Sequence, residues 1–197
     1  MGGSMDDVAE LTQLVLHERQ ARDRGWWTRM NACFHPDSTV RLSWFAGGGP
    51  DFVAASREMS ARGVRFTHRL CPPVVHHYGD RAVVEMPAAI ETRTDVDGVQ
   101  ADLSSFARLL YRAGRHSGSW AVVSLDAVYE RDILLPALPG TRLDLDPAVF
   151  MAYRPSYRVL AYLFDRLGYR VADDLYGDDV PGPVEELYRS VFAWAEG

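Results

Sequence analysis

The chain contains no lysine, so all 21 of its basic residues are arginine. That absence excludes a Walker-type phosphate loop, a Schiff-base nucleophile and a pyridoxal-phosphate site. GC-rich coding is the bland explanation of such usage. Cysteine is scarce too: Cys33 and Cys71 are the only two. They supply no disulfide framework, and a reducing cytoplasm is the expected location. No apolar run approaches the ~20 residues that cross a bilayer, so no membrane association is expected. The net charge is −6 and no basic cluster stands out. Nucleic acid is therefore not expected as a partner, because phosphate neutralisation supplies most of that affinity.

The nucleophile and metal motifs are missing as well. There is no Gly-x-Ser-x-Gly, and Cys71 beside Pro72-Pro73 has no adjacent base. His76-His77 lacks a third ligand at metal spacing and is expected at the surface, so neither metal nor cofactor is expected.

What is present is the makeup of an ordinary globular domain: 197 residues, 47% hydrophobic and 24% charged,. Met1-Gly2-Gly3-Ser4 reads as a cloning scar before a native Met5,. Val8, Leu11, Leu14, Val15 and Ala21 recur at helical spacing and predict a helix over 6–22. Asp23-Arg24-Gly25 interrupts it, and a short helix is expected over 26–34. A turn at His35-Pro36-Asp37 precedes a strand over 38–45. Gly47-Gly48-Gly49 is expected as a loop, with Pro50 opening a third helix over 50–62.

Strands at 65–78, 81–94, 99–113 and 119–131 follow, separated by Gly79-Asp80, Asp97-Gly98 and residues 114–118. Pro72-Pro73 should bend the first of these. The expected class is α+β, a cone-like curved antiparallel sheet wrapped around three N-terminal helices. After Leu138-Pro139-Gly140 helical pieces are expected over 146–153, 155–168 and 182–195. The expected division is a domain over 5–140 and a helical extension over 141–197, a lid or an oligomerisation arm whose many aromatics must be buried on something.

One residue breaks the pattern. In Arg65-Phe66-Thr67-His68-Arg69-Leu70, period-two alternation puts Phe66, His68 and Leu70 on one face, and Arg65, Thr67 and Arg69 on the other. An imidazole between Phe and Leu is either a satisfied core group or part of a pocket wall.

The order of elements resembles the nuclear-transport-factor-2-like superfamily, in its SnoaL-like branch with scytalone dehydratase and bile-acid dehydratase. The residues that carry the resemblance are Ala21-Arg22-Asp23-Arg24-Gly25-Trp26-Trp27, His35-Pro36-Asp37, Thr67-His68-Arg69-Leu70, Gly79-Asp80-Arg81-Ala82 and Ser119-Trp120. In that branch an Asp at the first helix junction orients a His on a strand, and the His is general acid/base in a syn elimination of water. The resemblance therefore implies Asp23 as orienter and His68 as acid/base. A carboxylate on one ring nitrogen fixes the tautomer and raises the basicity of the other. A rival use of Asp23 is to cap the second helix.

The departures are specific. Arg22 stands where scytalone dehydratase has Tyr, Thr92 stands where it has a second His, and Ala107 replaces an Asn. Ser105 matches a substrate-contacting Ser and shares a face with Leu103, Ala107, Leu109 and Tyr111. Ser105, Tyr111 and Asp126 are expected to position substrate oxygens, Thr92 to contact substrate from the position of that second His, and Trp27, Trp44 and Phe66 to wall the pocket.

The reading is a cofactor-independent dehydratase, isomerase or cyclase acting on a hydrophobic oxygenated small molecule such as a polyketide or terpenoid. The alternatives are a non-catalytic ligand-binding or assembly module and, more remotely, an epoxide hydrolase built on Arg93-Thr94-Asp95 and Asp126. A catalytic Asp-paired His68 should titrate near or above ~6.5, and a desolvated structural one well below 6. Relatives commonly dimerise through the outer sheet face, so a homodimer is expected.

Overall fold

The computed structural model describes residues 5–197, and the expectation about residues 1–4 lies outside them. Two helices open the chain, α1 (Met5–Arg24) and α2 (Trp27–Asn31). β1 (Phe34–Leu42) and β2 (Phe45–Gly48) form a hairpin that leads into α3 (Gly49–Ala61). Five further strands follow: β3 (Thr67–Leu70), β4 (Val74–Tyr78), β5 (Arg81–Val96), β6 (Val99–His116) and β7 (Ser119–Pro136). The sheet order is β2-β1-β7-β6-β5-β3, with β4 also on β5. Only β1 and β7 run parallel; the other pairs are antiparallel. The result is the expected α+β cone, its inner face filled by α1, α2 and α3.

Several local readings change. The second helix is shorter than expected, and Phe34 already belongs to β1, so His35-Pro36-Asp37 lies within an irregular strand rather than a free turn. Gly47 and Gly48, expected as loop, pair with Val40 and Thr39. Pro72-Pro73 does break its strand: β3 pairs with the Ala88–Glu91 stretch of β5, and β4 with Arg81–Glu85. Gly49 is required by contact. A Cβ there would fall 2.2 Å from Ser38 Oγ and 2.8 Å from a Phe34 ring carbon, so only glycine lets α3 start against β1.

Beyond residue 140 come α4 (Pro147–Met151), a 3₁₀ turn (Pro155–Tyr157), α5 (Arg158–Arg166) and α6 (Pro181–Glu196). These helices lie on opposite faces of the sheet. In α5 every residue from Val159 to Phe164 is buried, in the same core as Leu11, Val15 and Phe52. In α6, Leu187, Val191 and Ala195 pack on Val83, Leu110 and Val128. The part of the outer sheet face around Val83, Leu110 and Val128 is thus covered by this chain's own last helix.

Gly49→Ala should lower stability by about 1–3 kcal/mol, the ordinary cost of overpacking. A shifted urea midpoint would show it, and an unchanged midpoint would contradict the close contact.

Candidate active site

The site begins with charges where apolar residues belong. Leu11 and Val15 start the buried stripe of α1, and Glu18, Arg19 and Arg22 continue it at helical spacing,. All three are buried, Arg22 being only 8% exposed. Burying such groups is tolerated only where partners replace water. Glu18 and Arg19 supply each other with a two-contact ion pair. The Tyr111 hydroxyl donates to Glu18 Oε2 at 3.2 Å. Burial works to lower the Arg19 pKa, but the Glu18 and Tyr111 oxygens outweigh it and hold the guanidinium charged.

Asp23 follows at the end of α1, which Gly25 terminates in the left-handed region at φ 70°,. Its carboxylate does not cap α2, whose first turn has no side-chain cap. It reaches across to β3 instead. Asp23 Oδ1 lies 2.6 Å from His68 Nδ1, and Oδ2 accepts the His68 backbone N–H at 2.7 Å. Burial acts to raise the Asp23 pKa, yet the His68 hydrogen bonds hold it below the usual carboxylate range. The ionised carboxylate can only accept, so Nδ1 carries the proton and Nε2 presents a lone pair.

Nε2 faces Arg19 Nη1 at 3.5 Å and lines a cavity with Arg22, Trp44, Phe66 and Tyr129. The His68 side chain is 5% exposed. Burial, with smaller contributions from Arg19 and Arg22, outweighs Asp23 and pushes its pKa down to about 4. Of the two titration outcomes, this is the one expected of a desolvated structural imidazole, not of an Asp-paired catalytic one. Asp23 alone would raise the value, but the dry surroundings and two guanidiniums prevail. His68 is neutral at physiological pH, the form that can accept a proton.

The cavity is nearly closed. Its room is about 20 Å³, close to that of a single water. Leu160 and Phe164 of α5 form one wall, and Phe164 stacks on Phe66 with ring centroids 5.2 Å apart. Trp44 packs against Phe52 and Tyr169.

The structure brings together His68, Asp23, Trp44 and Phe66 of the expected residues, and places the others elsewhere. Trp27 lines a neighbouring groove that shares Arg22 and Phe66 with the cavity. Ser105 and Tyr111 do face inward, but too far along β6. Ser105 is buried opposite Asp132, whose carboxylate accepts the Leu160 backbone N–H at 2.9 Å. Tyr111 is spent on Glu18.

Thr92 lies outside the cavity, its hydroxyl donating to the Arg65 carbonyl at 2.7 Å. Asp126 pairs in register with Arg41 and Leu110, not among the cavity-lining residues, and burial raises its pKa while Arg112 and Arg41 oppose that. The epoxide-hydrolase pattern is dispersed: Arg93 pairs with Asp102 at 2.7 Å, and Asp95 caps Gly98 in the hairpin turn. His76 is exposed as expected, but His77 is half-buried against Trp120.

Arg19, Leu160 and Phe164 were not foreseen, and Arg22 was noted only as a departure. The signal for the arginines was there, as charged residues at stripe positions of α1. Among the described residues, no three His, Cys, Asp or Glu side chains converge to hold a metal.

The molecule is an α+β cone with a carboxylate–imidazole pair buried against its inner helices. Residues 3–126 match the SnoaL-like domain, and the chain belongs to that family. It is 30% identical over 206 residues to a PEP2-like protein of Fusarium vanettenii, covering 94% of this chain and 88% of the relative. It is likewise 30% identical over 186 residues to pea pathogenicity protein 2 of the same fungus, covering 89% and 80%. Among solved structures, a hexachlorocyclohexane dehydrochlorinase of type 2 superposes with a TM-score of 0.56 at 11% identity, over 74% of this chain and 97% of that one. At that identity the likeness is one of fold. No helix of the described residues is long and apolar enough to cross a membrane.

The depressed His68 pKa carries a sign for stability. Between its ordinary ~6.5 and about 4, the unfolded chain binds a proton that the folded chain refuses. Stability should therefore fall by about 3 kcal/mol as pH drops through that window. Urea midpoints from pH 7 to 4 should show this slope in the native chain and a flatter one in His68→Asn. Equal slopes would contradict the burial of a neutral imidazole.

Proposed function

We propose that this protein is a cofactor-independent lyase or isomerase for a hydrophobic, oxygenated small molecule. His68 is its general acid/base, and Asp23 is the residue that orients it. The observation that carries the reading is the unprotonated Nε2 facing a largely apolar cavity while Asp23 holds the other ring nitrogen and the backbone of the same residue. A core histidine needs one partner. This one is clamped twice by Asp23, while its other nitrogen has a longer, 3.5 Å contact with Arg19 Nη1 at the cavity wall.

In the proposed step, Nε2 takes the proton from a carbon next to a carbonyl. The C–H electron pair becomes the enolate double bond, with negative charge on the carbonyl oxygen. Arg19 and Arg22 stand beside the cavity to stabilise that charge,. In an isomerisation the imidazolium returns the proton to another carbon. In a dehydration it protonates a departing β-hydroxyl, releasing water and leaving an unsaturated carbonyl. The dehydrochlorinase named above shares the fold, and its name describes a related loss of H and a leaving group from neighbouring carbons.

The near-closed cavity supports two further parts of this reading. Within the extension over 141–197, α5 is a lid that moves outward to admit substrate, taking Leu160 and Phe164 with it. Closing it again excludes water from the enolate. The small cavity and the weakly basic His68 also favour a second reading, a binding module that holds a ligand without turning it over.

The test is to incubate the protein in D₂O with a panel of hydrophobic β-hydroxy ketones and follow deuterium uptake and enone absorbance. His68→Asn should lower the rate by about 10²-fold or more, and Asp23→Asn should lower it with the fold intact by circular dichroism. Ligand binding without exchange in the native chain would favour the binding module. Unchanged exchange in His68→Asn would end the acid/base assignment.

A further inference from the structure

A second chamber adjoins the His68 cavity. It is a groove of about 120 Å³ lined by Arg22, Arg24, Arg65, Ser56, Ser60 and Trp27, among others. Arg22 and Phe66 belong to both spaces. The groove's electrostatics are one-sided. Its single carboxylate is Asp23, and both oxygens of Asp23 are already taken by His68.

Among the described residues, no carboxylate lies within ion-pair distance of Arg22, Arg24 or Arg65, although the chain as a whole is acidic. Arg22 is the telling member. It is buried, its one hydrogen bond goes to the Met59 sulfur at 3.6 Å, and its guanidinium lies 5.7 Å from the Trp44 ring centroid. Burial, helped by Arg19, lowers its pKa to about 10 against the opposing pull of Asp23 and Glu18, which leaves it cationic at neutral pH. Beside it, the buried Ser56 hydroxyl has no hydrogen-bond partner. A buried cation that no carboxylate hydrogen-bonds, beside a buried hydroxyl without a partner, is costly unless a ligand satisfies them.

We propose that this groove binds the acidic group of the substrate, so that the protein acts on organic acids rather than on neutral polyketides or terpenoids. Arg22 anchors the anion, and Arg24 and Arg65 surround it. The inference deepens the reading of His68 and rests on it for the word substrate; the anion site itself stands on the groove. Arg22 lines both chambers, so it is the side chain that would relate an acid held in the groove to the His68 side. Arg22 is here a specificity-determining residue that touches the ligand, not a proton carrier. The shared chemistry is a set of anionic oxygens, and carboxylate and phosphate are told apart by measurement.

The probes are phenylacetate, phenyl phosphate and the neutral phenylacetamide, each titrated calorimetrically into the intact chain. At least one anion should bind about tenfold or more tightly than the amide, the worth of a charged hydrogen bond. Whichever anion binds better identifies the acid class. Arg22→Gln should remove the preference and leave the amide affinity unchanged, while Arg22→Lys should keep part of it. Arg24→Gln/Arg65→Gln, on exposed side chains, should weaken the anion several-fold and keeps the test valid if Arg22→Gln does not fold.

His68→Asn should retain the anion preference, which separates the two claims. Loss of deuterium exchange in His68→Asn with no anion preference in the native chain would overturn this inference and spare the acid/base reading. Anion preference with full exchange in His68→Asn would do the reverse. Equal affinity for anion and amide, preference surviving in both arginine variants, or no binding of any probe would each overturn the groove assignment.

Discussion

One carboxylate ties this molecule together at its working end. Asp23 bridges the last turn of α1 to the ring and the backbone of His68 on β3. The helix inside the cone and the sheet edge around it are fixed by two hydrogen bonds to an ionised acceptor, the stronger class of such bonds. The left-handed Gly25 turns the chain away two residues later, which leaves Asp23 free of α2. Remove the bridge and His68 loses both its tautomer and its position.

The same bridge shapes the electrostatics around it. A protonated His68 would sit close to Arg19 and Arg22 in a dry cavity, so the neutral ring is favoured despite Asp23. Glu18 is what makes Arg19 bearable, and Tyr111 in turn supports Glu18. Arg22 feels Asp23 and Glu18 only at longer range and has no carboxylate hydrogen-bonded to it, so it is the less settled charge of the site. An anionic oxygen beside it would offset its charge and return the His68 pKa toward the ordinary range. His68 as it stands is a weak base, and an oxyanion beside Arg22 would strengthen it,.

Much of this was legible in the chain because local chemistry fixed it. Asp97 and Gly98, at φ 51° and 84°, make the tight hairpin that the dipeptide announces,. The inward direction of His68 followed from alternation, and its partnership with Asp23 from the family resemblance. Other positions failed for identifiable reasons. Parity gave the right face for Ser105 and Tyr111, but not their place along an 18-residue strand. Asp126 lies in a stretch with little alternation, next to strand pairing that shifts register between Arg112 and Ala113, and no pattern count could orient it. Arg19 and Arg22 were hidden because a search for apolar periodicity passes over charges that occupy the same stripe. The plugging of the cavity by α5 is a long-range fact that only the fold supplies.

The central claim is that His68 is a neutral imidazole with its proton on Nδ1, held by Asp23, and its lone pair on Nε2 in the cavity. Nitrogen-15 NMR of the ring tests it directly. The account expects a single Nδ1–H tautomer from neutral pH down to about 5, since the pKa lies at about 4, and loss of that tautomer in Asp23→Asn. A ring protonated on both nitrogens at pH 6, or one carrying its proton on Nε2, would contradict it.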